Sequence, residues 1–181
     1  MSLEPRAQDR PEISVIIPAY NEGDGIAIFI EQLSAALLRS TTDFEIWVVD
    51  DGSRDATWEQ LRQLQPDHPR LKALRFTRNF GKEAAILAGL RQARGQAVIV
   101  IDADGQHPTR LLAEMITLWR SGKAQIVAAQ KTDRGKDSWL ARCNAKVFNT
   151  LMHSLTGLDL AGASDYRLLD RRVVDTLLAF P

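Results

Sequence analysis

From Pro11 onward the chain alternates short β-branched runs with segments whose apolar residues recur at helical spacing. Residues 13–17, 44–49, 71–76, 97–101 and 126–129 read as strands, and their almost continuous apolar character is that of strands covered on both faces. Between them, Ile26, Phe29, Ile30, Leu33 and Leu37 fall on one helical face, as do Leu111, Leu112, Met115, Ile116 and Trp119. Strands alternating with helices predict an α/β fold: a mostly parallel, open sheet with right-handed crossovers and helices on both faces. After Gln130 the pattern gives way to a polar, charged stretch, 131–138, followed by a predicted amphipathic helix over 139–155 and a loop leading into 163–169. Residues 1–10 are polar and aperiodic and read as a disordered leader, with one catalytic-size domain over 11–181.

Composition narrows the class without defining it. The 181 residues suit one domain, and 45% hydrophobic with 25% charged residues is ordinary for a folded globular chain. Lys plus Arg and Asp plus Glu are 23 each, so no global basic field draws the chain to nucleic acid, and a charged partner must be met locally. The single cysteine, Cys143, excludes an internal disulfide and a multi-cysteine zinc site, and fits a reducing compartment such as the cytoplasm. It lies on the apolar stripe of the predicted 139–155 helix and reads as a packed thiol. No apolar run reaches the roughly 20 residues of a membrane helix.

Ligands of open α/β sheets sit beyond the carboxyl ends of the strands, and there the sequence is acidic. The first strand runs into Pro18-Ala19-Tyr20-Asn21-Glu22, the second into Asp50-Asp51-Gly52-Ser53, the fourth into Asp102-Ala103-Asp104-Gly105-Gln106-His107. Carboxylates gathered at one sheet edge repel unless a cation, a donor-rich ligand or solvent compensates them. A hard divalent cation beside a nucleotide is the economical explanation. Asp102 and Asp104 point to the same side of an extended strand end, where one can hold Mg2+ or Mn2+ and the other a ribose or water. A solvated turn is the plain alternative for such a pair; the strand-end position and the helix opened by Pro108 favour function. Asp51 is placed to accept hydrogen bonds from a base or ribose, whereas Asp55 reads as the N-cap of the next helix. His107 reads as a loop contact. The segment Arg78-Asn79-Phe80-Gly81-Lys82 either grips phosphate or forms a charged turn.

Taken together, PAYNE, VVDDGSRD, RNFGKEAA, DADGQHP and SDYRLLDRRVV resemble family 2 glycosyltransferases of the GT-A fold, above all the polyprenyl-phosphate branch related to dolichol-phosphate mannose synthase. The resemblance spans about residues 13–178. It implies that Pro18, Tyr20, Glu22, Asp51 and Asp102 hold the nucleotide, and that Asp104, Gln106 and Asp102 hold the metal and diphosphate. It further implies that Asp104 and Asp165 are catalytic, Asp165 on the acceptor side, and that Arg134, Arg142 and Lys146 meet the acceptor phosphate. The branch departs from this sequence at Gly105, where leucine is commoner, and at Ser164, where glycine is common. Members continue into a further catalytic segment and membrane helices, whereas this chain stops at Phe180-Pro181, so a shortened catalytic domain is expected.

The reaction implied is metal-dependent, inverting transfer of a sugar from a UDP- or GDP-sugar to a polyprenyl phosphate at the cytoplasmic face of a membrane. Two further readings compete with it. One is the same transfer to a saccharide hydroxyl in cell-envelope synthesis, whose enzymes often carry a Gln-x-x-Arg-Trp motif absent here; the other is a non-catalytic nucleotide-sugar-binding module. A dinucleotide-binding Rossmann domain is disfavoured, because Pro18 to Glu22 stand where its glycine fingerprint belongs. The stripe of the 139–155 helix, with Arg142 and Lys146 one turn apart on its flank, fits peripheral contact with a membrane surface as well as it fits packing on the core.

Overall fold

The computed structural model describes residues 10–103, 111–130 and 163–179. Strand β1 (Ile13–Ala19) is followed by α1 (Ile26–Leu38), β2 (Phe44–Asp50), α2 (Thr57–Leu64), β3 (Leu71–Arg75), α3 (Lys82–Gln92) and β4 (Ala97–Val100). Helix α4 (Leu111–Arg120), β5 (Ile126–Gln130), β6 (Ala163–Asp170) and α5 (Arg171–Ala179) complete the described elements. Six strands form one sheet in the order β3-β2-β1-β4-β6-β5. β1 pairs parallel with β2 and β4, and β2 parallel with β3; β6 runs antiparallel to both neighbours, β4 and β5.

The side-chain period of two sorts the strands into two cores. Ile13, Val15 and Ile17 of β1 join Ile46 and Val48 of β2 and Ile99 of β4 beneath α1, α2 and α4, which contribute Ile30, Leu33, Leu61 and Met115. Ile16, Val98, Val100 and Leu169 face the other way and pack against Ile86 and Leu90 of α3 and Val174 of α5. Burial on both faces is why the strands lack polar alternation, and the expectation of helices on both faces holds. Chain progress explains the assignment. The chain moves outward from β1 to β3 beneath α1 and α2, then α3 carries it back past β2 and β1 to β4. Right-handed crossovers place helices on opposite faces when that direction reverses.

The expected strands appear within two residues of their predicted ends. Residues 163–169, to which the sequence assigns no element, belong to β6, inserted between β4 and β5, where Val98 and Ile126 both face Leu169. Ser164-Asp165-Tyr166-Arg167 has no polar alternation of its own to announce a strand, because Tyr166 and Arg167 are both buried, one on each face. The predicted 139–155 helix and the 1–9 leader lie outside the described residues. Among the described residues no helix is long and apolar enough to cross a membrane.

The amino-terminal edge of the sheet is closed by a buried polar cluster. Ser14 Oγ donates to Glu45 Oε1 (2.7 Å), which also accepts the Arg94 N–H (2.8 Å), while the Gly95 N–H donates to Ser14 Oγ (2.7 Å) and Lys72 Nζ to Glu45 Oε2 (2.7 Å). A Cβ on Gly95 would come within 2.4 Å of the Ser14 nitrogen, so only glycine lets the chain enter β4 here. The chemistry suggested by the sequence sits at the other edge.

Candidate functional site

Strand order reverses between β1 and β4, and in open α/β sheets the crevice beyond the carboxyl ends of such a strand pair is where ligands bind. Three loops and the residues that follow β4 build it. The loop after β1 is locked to the loop after β2: the Asn21 N–H donates to Ser53 Oγ (2.9 Å), the Glu22 N–H to Thr57 Oγ1 (2.9 Å), the Gly23 N–H to Asp55 Oδ2 (2.8 Å) and the Arg54 N–H to Asn21 Oδ1 (3.0 Å). Asn21 adopts a left-handed conformation (φ 57°), which asparagine tolerates better than most residues, and this turns the chain sharply at the strand end. Asp55 is not the N-cap; that position is Ala56. It sits one residue earlier, where it accepts the Thr57 N–H (3.0 Å) and ties α2 to Gly23. Burial opposes ionisation of Asp55, but hydrogen bonds from Thr57 and Gly23 outweigh it and hold the carboxyl below its ordinary range.

The two acids that end β2 point to different work. Asp50 is 0% exposed, accepts the Ser53 N–H at Oδ1 (2.9 Å) and pairs with Arg75 Nε (3.1 Å), so it is structural. Asp51, next along the strand, faces the third loop: Phe80 N–H donates to Oδ1 (2.7 Å) and Gly81 N–H to Oδ2 (2.9 Å). Gly52, at φ 69°, lies so close beneath this loop that a Cβ would come 2.5 Å from the Arg78 carbonyl carbon. Asp51-Gly52 therefore latches residues 78–81 against the end of β2. An ionised carboxylate offers about four acceptor positions, so two backbone donors leave Asp51 able to accept more.

One open cleft of about 380 Å³ is lined by Pro18, Ala19, Tyr20, Glu22, Asp51, Asn79, Gly81, Lys82, Asp102 and Ala103. All five residues expected to hold the nucleotide thus line a single cleft. The sequence left residues 78–82 undecided; the fold brings Asn79, Gly81 and Lys82 into the site. Their signal was a cation and a glycine directly after a strand. Lys82, the first residue of α3, contacts both oxygens of Asp102, with Nζ 2.6 Å from Oδ1 and 2.7 Å from Oδ2. Tyr20, 40% exposed, also lines an adjoining cleft of about 550 Å³ with Arg54, Arg75 and Arg78. The Arg78 guanidinium lies 4.8 Å from the centre of the Phe80 ring, and Phe76 meets Phe80 edge-on at 5.5 Å.

Asp104, Gln106, His107, Arg134, Arg142 and Lys146 lie outside the described residues. Asp165 is described by its backbone alone. Arg167 faces Val100 in the antiparallel β4–β6 ladder, so position 165, two residues before Arg167, reaches the same edge as position 102, two residues after Val100. Among the described residues no group of three or more acidic, histidine or cysteine side chains is arranged to hold a metal ion. The donor chemistry nonetheless fits a hard divalent cation: Asp102 presents carboxylate oxygens to the cleft and already accommodates one cationic group, the Lys82 ammonium.

A six-stranded sheet with one antiparallel member and an acid-lined cleft at its strand-order reversal defines a nucleotide-sugar-binding fold of the GT-A type. Residues 14–178 match the family model described as glycosyl transferase family 2, and the chain belongs to that family. CsbB of Bacillus subtilis (strain 168) is 42% identical over 167 residues, covering 92% of this chain and 50% of the relative. A bactoprenol glucosyl transferase of Shigella phage SfV is 36% identical over 171 residues, 94% of this chain and 55% of the relative. The chain spans about half the length of these curated relatives. Among solved structures, the mannosyltransferase PcManGT from Pyrobaculum calidifontis, in complex with GDP-Man and Mn2+, is 25% identical with a TM-score of 0.62, over 95% of this chain and 48% of that one. Glucosyl-3-phosphoglycerate synthase from Mycobacterium tuberculosis, solved with Mn2+, UDP and glucosyl-3-phosphoglycerate, shares the fold at a TM-score of 0.61 and 23% identity, over 90% of this chain and 57% of that one.

Proposed function

We propose that the chain carries the donor site of a metal-dependent, inverting glycosyltransferase that moves a sugar from a UDP- or GDP-sugar to a polyprenyl phosphate. The observation that carries this reading is the convergence of Pro18, Tyr20, Glu22, Asp51 and Asp102 on one cleft at the β1/β4 reversal. The complex of PcManGT with GDP-Man and Mn2+ supports the donor class and the metal, and the bactoprenol glucosyl transferase relative supports the acceptor.

In this reading Tyr20 offers its ring to the base, Asp51 and Glu22 accept hydrogen bonds from base or ribose, and Asp102 stands where ribose and diphosphate meet. Asp102, with Asp104 and Gln106, would hold Mg2+ or Mn2+. Bound there, the cation would supply positive charge to a leaving diphosphate, an interaction stronger in the transition state than in the ground state. The acceptor oxygen attacks the anomeric carbon from the face opposite the leaving diphosphate, which inverts the configuration. Arg134, Arg142 and Lys146 are assigned to the acceptor phosphate.

The acceptor decides what Asp165 does. A hydroxyl nucleophile must lose a proton and needs a carboxylate as general base. A phosphate monoester, with a second pKa near 6, is mostly dianionic at pH 7 and needs none. Asp165 then orients the acceptor and balances the nearby cations. Transfer of radiolabelled sugar to undecaprenyl phosphate in detergent tests this directly: the rate is expected to rise through pH 6 and stay flat above neutrality. Transfer to a saccharide hydroxyl alone, or a rate still climbing well above pH 7, would overturn the acceptor assignment.

A further inference from the structure

Lys82 is the one cation among the described residues lining the donor cleft, where it shares the lining with Glu22, Asp51 and Asp102. Its place is unfavourable on helix grounds alone. As the first residue of α3 it stands at the positive end of the helix macrodipole, where cations are disfavoured. The N–H groups of Phe80 and Gly81 that open this helix are already taken by Asp51. Asp102 pairs with the ammonium there, and both of its oxygens lie within 2.7 Å of Nζ.

We propose that Lys82 is an internal counter-ion that couples metal binding to donor binding. With no nucleotide present it neutralises Asp102 and holds off a divalent cation. When nucleoside diphosphate and metal bind together, the metal takes Asp102 and the ammonium moves to the diphosphate oxygens. This rests on the donor-site reading above and adds a role for a residue the family resemblance leaves unassigned. The physical basis is like-charge repulsion: a divalent cation on Asp102 while the ammonium stayed in place would set positive charges only about 4–5 Å apart, a costly separation in a partly desolvated cleft. Lysine suits the exchange, because its charge is compact and its four-carbon stem is flexible. The side chains of Lys82 and Asp102 are 31% and 21% exposed, leaving room for the ammonium to swing without disturbing the core. Coupling of this kind is reciprocal: the nucleotide tightens metal binding by the same factor as the metal tightens nucleotide binding, and that factor shrinks when Lys82 is removed.

The experiment is calorimetric titration of the wild-type chain and of Lys82→Met with Mn2+ alone, with whichever of UDP and GDP the wild type binds in the presence of Mn2+, and with the corresponding nucleoside. In Lys82→Met, Mn2+ alone is expected to bind about tenfold tighter and the nucleoside diphosphate about tenfold weaker, with the nucleoside unchanged. Lys82→Gln, a smaller change at a partly exposed position, should shift both affinities the same way and serves if Lys82→Met does not fold. Unchanged affinities in the folded variant overturn the inference. A weaker diphosphate with unchanged Mn2+ affinity also overturns it, since Lys82 would then be a simple phosphate contact. A folded wild-type chain that binds neither UDP nor GDP fails at the earlier step and overturns the donor-site reading itself.

Discussion

Asp51 shows how one side chain serves structure and site together. Its oxygens receive the Phe80 and Gly81 N–H groups, and its position lines the cleft. Asp51→Ala should therefore do two separable things. It strands two backbone donors, costing about 2 kcal/mol in a urea melt, and it loosens residues 78–81 so that nucleoside-diphosphate affinity falls. Gly52→Ala is expected to destabilise by a similar or larger amount, about 2–4 kcal/mol, because a Cβ there meets the Arg78 backbone at 2.5 Å and the left-handed φ penalises any side chain. If Gly52→Ala melts like the wild type, the latch between the two loops is wrong. At this scale the sequence is legible where a residue's chemistry is unusual for its place: the strand ends point to Pro18, Tyr20, Glu22, Asp51 and Asp102, and these line one cleft. Lys82 and Asn79 are not legible in this way, because a lysine after a glycine looks the same in a charged turn as in a site, and only the return of α3 past β1 brings it to Asp102.

At the scale of elements, the alternation of buried strands and amphipathic helices made β1 to β5 and α1 and α4 readable, since continuous apolar runs are forced by burial on both faces. β6 escaped because its justification is non-local. A short segment containing Asp165, Arg167 and Asp170 becomes a strand by filling the gap between β4 and β5, and no local periodicity reports that gap. The far edge of the sheet gives the element-scale expectation. Burial disfavours the charged form of Glu45, but the Lys72 ammonium, the Ser14 hydroxyl and the Arg94 N–H together keep its carboxyl below the ordinary range. A depressed folded-state pKa contributes stability that is complete above the unfolded value of about 4.3 and is lost as pH falls through the folded value. The thermal midpoint should fall steeply below about pH 4.3 in the wild type and less steeply in Glu45→Gln, which should already be weaker by about 2 kcal/mol at pH 7. Parallel acid limbs in the two chains would show that Glu45 does not link this edge to pH.

At the scale of the whole molecule, helices cover both sheet faces among the described residues, and carboxylates, Lys82 and three arginines line two adjoining clefts at the carboxyl edge. The topology explains why motifs about 80 residues apart, such as Pro18 to Glu22 and Asp102, line one cleft: β1 and β4 are neighbours at the strand-order reversal. The proposed function requires this edge to bind a nucleoside diphosphate with a divalent metal. Calorimetric titration of the chain with UDP and GDP, with and without Mn2+, and repeated on Asp102→Asn and Asp104→Ala, tests it most directly. Saturable, one-to-one binding of one of the two nucleotides is expected, requiring Mn2+ and weakening at least about tenfold in each variant. A chain that melts cooperatively yet binds neither nucleotide, or binds one equally well with both aspartates replaced, would contradict it.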